Sequence, residues 1–229
     1  MKYYKVESEL KNAITVDTVS KNYGMSLSNT VHYQKLIQLV LAESAKSGLP
    51  LDCYFTLNNH IATQGQQYFS SIPAAVRSMH HMPTLTSHPD PKKGYINSQD
   101  LISFINQLLQ NQVYLFQEGT YLWEHIFEES RKLKNPTLPS RAPSLFLFEK
   151  LSDCHNYIAN SLGFGTICEV ELLQTRELFR SDMNLMDNMQ NFYSTHEALH
   201  ASNEYWTAKP SATPLYEILF QGKCTISPI

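Results

Sequence analysis

The last third of the chain constrains the fold most, because strand-like and helix-like segments alternate there at short intervals. Residues 144–148 (Ser-Leu-Phe-Leu-Phe) read as a buried strand. Residues 152–162 follow as a short helix stopped by Gly163. In residues 166–173, Ile167, Glu169 and Glu171 alternate with Cys168, Val170 and Leu172, the pattern of a strand with one polar face. A further short strand is expected at 178–180, a mostly helical stretch at 188–206 and a linker at 209–214. Residues 215–221 and 223–227 close the chain as strands around Gly222. Residues 138–226 thus read as a strand–helix–strand–helix–strand unit whose last strand carries the acidic Glu217. Glu217-Ile218-Leu219-Phe220-Gln221-Gly222 has the look of a 3C-type protease site, but its apolar strand pattern marks it as part of the fold.

The first half is richer in helix. Tyr3, Tyr4 and Val6 give residues 2–7 the side chains of a short opening strand, and a polar stretch runs on to Thr30. Val31, Leu36, Ile37, Val40 and Leu41 recur at helical spacing, with Ser28, Asn29 or Thr30 as the cap and Gly48 as the stop. Leu101, Ile102, Ile105, Leu108 and Leu109 form a second apolar stripe behind Ser98. A third helix, with Leu122, Trp123, Ile126 and Phe127 inward, runs to Lys134. Its end is marked by Arg131, Lys132 and Lys134, which suit the negative end of the helix dipole, and by Asn135-Pro136. Residues 49–97 hold Pro50, Pro73, Pro83, Pro89 and Pro91 and the His80-His81 pair, and are expected to form an irregular excursion. Helices crowd the first half and strands the second, so the class is α+β, and 229 residues suit a single domain.

The balance of residue types narrows the functions. Formal net charge is −3, so nothing in the charge indicates a nucleic-acid partner. No apolar run reaches the ~18 residues of a membrane span, and the opening Met-Lys-Tyr-Tyr-Lys-Val has no apolar signal core. The expected setting is the cytoplasm, or the cytosol of another cell after delivery. Cys53, Cys154, Cys168 and Cys224 are scattered and form no CxxC pair, which suits free thiols in a reducing compartment. Cys154 and His155 are adjacent in a helix and point to different faces, so they are no nucleophile–base pair.

One motif matches a known chemistry outright. His196-Glu197-Ala198-Leu199-His200 is H-E-x-x-H. On a helix, His196 and His200 lie one turn apart and can share a zinc ion, while Glu197 activates a bound water. A third ligand is still required. Glu204 and Glu217 lack the usual helical setting for that role, and the flanking residues are polar where a zincin helix is apolar. A chance match on an exposed helix is the plainer reading, with a zinc-dependent hydrolase as the alternative.

A second constellation spans the chain. Tyr4-Lys5 on the opening strand, Ser140-Arg141 with Ser144-Leu145-Phe146, and Glu217 would bring a cation, a hydroxyl and a carboxylate together if their strands pair. Leu138-Pro139-Ser140-Arg141, Ser144-Leu145-Phe146, Ser181-Asp182-Met183-Asn184-Leu185, Tyr205-Trp206 and residues 214–222 resemble, in order and spacing, an uncharacterised bacterial family with an ADP-ribosyltransferase-like fold. The resemblance covers about residues 115–226 and the first strand. It implies a split β-sheet with NAD in its cleft, and an effector or toxin that transfers ADP-ribose to an acceptor or hydrolyses NAD. Carried over, Glu217 and Ser144 are the catalytic pair, and Lys5, Tyr4, Arg141 and Phe146 hold the dinucleotide. A carboxylate on the ribose hydroxyl would stabilise the positive charge that builds as the nicotinamide bond breaks. Arg141 or Lys5 would hold the diphosphate, and Tyr4 or Phe146 would stack on nicotinamide. Two departures stand out: Lys5 lies where Arg or His is usual, and Leu215 lies where arginine-modifying members carry Glu. The acceptor therefore stays open. A third reading is a non-catalytic binding module that uses residues 49–97. The Asp182/Asn184 pair reads as a turn or helix cap.

Overall fold

The computed structural model describes residues 2–20, 31–47, 51, 54, 81–83, 95–97, 103, 104, 106, 107, 110, 119–189 and 195–229. The chain is mixed α+β and divides into two compact units. One comprises residues 1–27, 126–188 and 201–229, and the other residues 28–125 and 189–200.

The first unit is built on a five-stranded antiparallel sheet. Its strands are β1 (Tyr3–Glu7), β2 (Ile14–Asp17), β5 (Leu145–Leu147), β6 (Thr166–Asp182) and β7 (Tyr216–Pro228). They run in the order β1-β6-β7-β2, and β5 pairs with β7 beside β2. One bridge pair, Tyr4 with Phe148, also ties the residue after β5 back to β1, with N···O distances of 2.8 and 2.7 Å. Hydrogen bonds therefore close a ring through β1, β6, β7 and β5.

The sheet corrects three expectations. The strands read at 166–173 and 178–180 are one strand, β6, and those on either side of Gly222 are one strand, β7. The reason is the same in both. β6 carries register shifts between Leu172 and Gln174 and between Thr175 and Glu177, and its exposed middle breaks the alternation that marks a strand in sequence. Gly222 sits opposite these shifts, where backbone approaches so closely that an added Cβ would lie 2.0 Å from the Gln174 carbonyl oxygen. The third correction is β2, a four-residue strand inside the stretch read as polar loop.

The sheet has two packed faces. Tyr3, Val16, Leu145, Leu147, Cys168, Val170, Ile218, Phe220, Cys224 and Ile226 form the core on one. Val6, Phe148, Cys154 and Met183, with Tyr4, Tyr157 and Leu215 against them, pack on the other. Strand alternation sends Tyr3 and Tyr4 of β1 to opposite cores, and likewise Leu147 at the end of β5 and the next residue, Phe148.

Helix α3 (Leu151–Tyr157) continues as a π-helix (Ile158–Leu162), which ends at Gly163 with φ 75°, as the sequence indicated. A short helix, α4 (Asn184–Asp187), follows β6. The expected helix from 188 is α5 (Thr195–Trp206), and residues 190–194 lie outside the described residues.

In the second unit, α1 (Val31–Ser47) buries Ile37 and Val40. Tyr54 meets Phe104 edge-on with centroids 4.8 Å apart, and its hydroxyl donates to the Glu43 carbonyl at 3.3 Å. Ser103, Phe104, Asn106, Gln107 and Gln110 are helical, in keeping with the second apolar stripe. Two strands were not anticipated: β3 (His81–Pro83) pairs with β4 (Tyr95–Asn97) inside the stretch read as irregular. The rest of residues 49–97, apart from Leu51 and Tyr54, lies outside the described residues. The third expected helix is α2 (Gly119–Lys134).

Candidate functional site

Glu217 is the second residue of β7, and a row of cross-strand neighbours surrounds it. Ser181 of β6 is its register partner on one side. On the other side, the β5 register extended by one residue places Phe148 opposite Glu217, and Phe148 bridges to Tyr4. Glu217 is 2% exposed and is held by two side chains brought from elsewhere. Arg141 Nη1 donates to Glu217 Oε1 and to Tyr205 Oη. The Tyr205 hydroxyl in turn donates to the same carboxylate oxygen at 2.7 Å. A buried guanidinium, carboxylate and phenol thus hydrogen-bond to one another, as charged groups removed from water need partners.

Each member is positioned by packing. The Arg141 guanidinium lies over the Phe146 ring, 4.6 Å from its centroid, and 5.3 Å from that of Tyr205. The loop that delivers Arg141 is tied to the end of α2. Arg131 pairs with Glu128 at 2.8 Å and donates to the Leu138 carbonyl at 2.8 Å, while Ser140 Oγ donates to Glu128 at 3.1 Å. Tyr205 stands in an aromatic cluster, edge-on to Phe127 and Trp206 with centroids 5.3 and 4.7 Å apart. Its carbonyl accepts from Ser181 Oγ at 2.6 Å. The start of β7 is fixed by Asp182, fully buried, which accepts from the backbone N–H groups of Asn184, Ser211 and Leu215 at 3.1, 2.6 and 2.9 Å. Of the turn or helix cap read for the Asp182/Asn184 pair, the turn is present, while the α4 N-cap is Met183 and has no side-chain cap bond; Asp182 also holds the residue before the strand that carries Glu217.

Of the residues singled out in the sequence, Glu217, Arg141 and Phe146 come together, and Tyr4 lies on the same face. Ser144 shares that face but sits beside Gln221, whose Nε2 donates to Ser144 Oγ at 3.1 Å. Four residues of strand, roughly 13 Å, separate Gln221 from Glu217. Ser144 Oγ itself donates to the Ser140 carbonyl at 2.6 Å. Lys5 is elsewhere. Its register partner is Cys168, in the opposite core, and its ammonium pairs with Glu7 at 2.8 Å. Successive residues of β1 face opposite ways, so Tyr4 takes the side on which Lys5 was expected. Tyr205 was not singled out as a site residue. Position 205 was part of the resemblance, but nothing in its sequence setting says that its hydroxyl meets Glu217.

Tyr157, packed against Phe148 with centroids 5.4 Å apart, borders the same region. Burial raises its phenol above the ordinary 10.0, and the charges of Asp187 and Glu217 add to this while Arg141 opposes it. His196 and His200 are exposed on α5. Among the described residues, no three His, Cys, Asp or Glu side chains gather as a metal-holding group. Cys154, Cys168 and Cys224 are buried free thiols. No helix among the described residues is long and apolar enough to cross a membrane.

The chain is thus a mixed α+β protein with a five-stranded antiparallel sheet and a buried Arg–Tyr–Glu cluster at Glu217. By sequence the chain belongs to a family described as a protein of unknown function (DUF2441), whose model matches residues 9–229. No curated protein matches it.

Proposed function

We propose that the chain binds NAD and breaks its nicotinamide–ribose bond through Glu217, passing ADP-ribose to an acceptor or to water. The finer fold reading, ADP-ribosyltransferase-like, goes with this proposal. The observation that carries it is the meeting of Glu217, Arg141 and Tyr205 on a face shared with Phe146 and Tyr4. In this reading the Glu217 carboxylate accepts a ribose hydroxyl and offsets the positive charge that grows on the sugar as nicotinamide departs with the bonding pair. Of the two cations considered for the diphosphate, Arg141 rather than Lys5 holds it. The aromatic rings flank the nicotinamide. Glu217 is buried, so a dinucleotide reaches it only by displacing the side chains that cover it.

That burial favours a second reading, in which the cluster is structural and the protein is a non-catalytic binding module. Calorimetric titration with NAD and a nicotinamide-release assay separate the two. The enzyme reading expects wild type to bind NAD and release nicotinamide. It expects Glu217→Gln to retain binding while release falls by about 100-fold or more, the scale of losing a group that stabilises transition-state charge. Absence of NAD binding, or equal release by both proteins, leaves the binding module.

A further inference from the structure

We propose that the groove between α3 and α4 is the entrance to the Glu217 site and that the ring of Tyr157 is its gate. For the route this stands on the packing around Glu217; for the identity of the ligand it rests on the NAD reading. The groove has a volume of about 650 Å³, room for a small molecule. Asp153, Asn156 and Asn160 line it from α3 and the π-helix, Asn184 and Asp187 from α4, and Leu215 from the residue before β7.

Leu215 joins the groove to the site. It lies two residues before Glu217, and it packs in the same apolar cluster as Tyr157, Phe148 and Tyr4. Its backbone is anchored at both ends: the N–H donates to Asp182 at 2.9 Å, and the carbonyl accepts from the Met183 N–H at 2.8 Å. Tyr157 stands on the other side of the route. It is one helical turn from Asp153 and from Asn160, which line the groove, and one turn from the buried Cys154. Its ring lies against that of Phe148, the residue opposite Glu217, with centroids 5.4 Å apart. The electrostatics agree with this placement. Burial is the largest cause of the raised pKa of its phenol, and the charges of Asp187, in the groove, and of Glu217, behind it, come next.

The cover over Glu217 is thus of two kinds. Arg141 and Tyr205 are tied to the carboxylate by hydrogen bonds, and moving them breaks a buried ion pair. Tyr157 is half-buried and held by ring packing, so turning it aside leaves that pair in place. Its helix changes from α to π at the next residue, Ile158, an irregularity that recurs at functional sites.

The test reads access to Glu217 without NAD. The full chain is treated with a water-soluble carbodiimide and glycine ethyl ester, and amidation of Glu217 is followed by site-mapping mass spectrometry. Glu9, with a side chain 72% exposed, is the internal reference. Labelling of a closed site proceeds from its open population, so Tyr157→Ala is expected to speed Glu217 amidation by about tenfold or more relative to Glu9. Asn160 is exposed, and Asn160→Trp fills the groove beside it. Tyr157→Ala/Asn160→Trp is expected to return the rate to near that of wild type, which a merely loosened fold would not do. Tyr157→Leu, which removes the ring but keeps apolar bulk, takes the place of the alanine variant should that variant not fold. Equal amidation with and without the Tyr157 ring, or a gain that persists with Asn160→Trp, overturns the proposal. Nicotinamide release by the same proteins separates the two readings. No release by any of them ends the NAD reading and leaves the entrance standing on the amidation result. Release that Glu217→Gln abolishes and Asn160→Trp leaves unchanged overturns the entrance and keeps the NAD reading.

Discussion

Neutralising Glu217 without changing its shape is the sharpest perturbation of the site. In Glu217→Gln, Arg141 keeps its charge in a position only 7% exposed and loses its pairing with the Glu217 carboxylate. Breaking a buried ion pair by removing one partner costs about 3–5 kcal/mol. With a urea slope of roughly 2 kcal/mol per molar, the midpoint falls by roughly 1.5–2.5 M. Arg141→Met leaves the complementary defect, a buried carboxylate held by Tyr205 alone, and the cost is of the same order. Arg141→Met/Glu217→Gln removes both charges, so it is expected to lose less than the two singles together, with a coupling of about 2 kcal/mol or more. Tyr205→Phe deletes the hydroxyl that accepts from Arg141 and donates to Glu217, while the ring keeps its contacts with Phe127 and Trp206. It is expected to cost about 1–2 kcal/mol. Equilibrium urea unfolding followed by tryptophan fluorescence reports on the right place, since Trp206 is buried beside Tyr205. A cost under about 1 kcal/mol for Glu217→Gln, or additivity within about 0.5 kcal/mol, refutes a coupled buried cluster.

Two further predictions concern the sheet. Burial pushes the thiols of Cys154 and Cys224 up to about 12 and about 11, and raises that of Cys168, so almost no thiolate exists at neutral pH. A native-state assay with a thiol-reactive disulfide reagent should leave all three unmodified until denaturant is added. A rapid reaction mapped to any of them contradicts their burial. The linkage has a sign. A raised folded-state pKa means that the native state holds its proton longer, so this stability is complete below pH 9 and is lost as pH rises from there towards about 12. In Gly222→Ala, the new methyl would lie 2.0 Å from the Gln174 carbonyl oxygen and 2.7 Å from the Phe220 ring. The first neighbour is backbone and cannot swing away, so the urea midpoint should fall by the equivalent of about 1–3 kcal/mol. An unchanged midpoint would mean that β6 and β7 do not approach so closely there.

The sequence showed elements with strong periodicity and missed those set by pairing. The helices α1 and α2 follow from apolar spacing, and Gly163 stops the π-helix where a left-handed residue is needed. β1 and the first half of β6 follow from side-chain type and alternation. β2 was not legible, because Ile14-Thr15-Val16-Asp17 is a strand only through its register against Cys224 and its neighbours in β7. The site was half legible for the same reason. The strand reading and the family resemblance pick out Glu217 and Arg141 as charges in a strand-rich region. Which of Tyr4 and Lys5 faces Glu217 depends on the parity of β1 relative to β5, and the Tyr4–Phe148 bridge fixes that parity across more than 140 residues of sequence. Tyr205 could not be placed at all, since a tyrosine near the end of a helix carries no mark of the strand that its hydroxyl will meet.

The cluster poses an energetic question that stability alone does not answer. A buried ion pair gains in Coulomb attraction about what it loses in desolvation, and apolar side chains of similar volume often hold such a position as well or better. Two charges and a phenol behind β7 are therefore not explained by the need to join β7, β5 and α5. What they offer that leucines would not is a polar group at a fixed place, available once the cover moves. This makes the double variant informative in two assays at once. If Arg141→Met/Glu217→Gln folds with near-wild-type stability and no longer binds NAD, the charges serve the ligand, and their mutual pairing is the resting state of a site. If it folds and binds NAD as wild type does, Glu217 is a strand residue whose charge is absorbed by its neighbours, and recognition lies elsewhere in the chain.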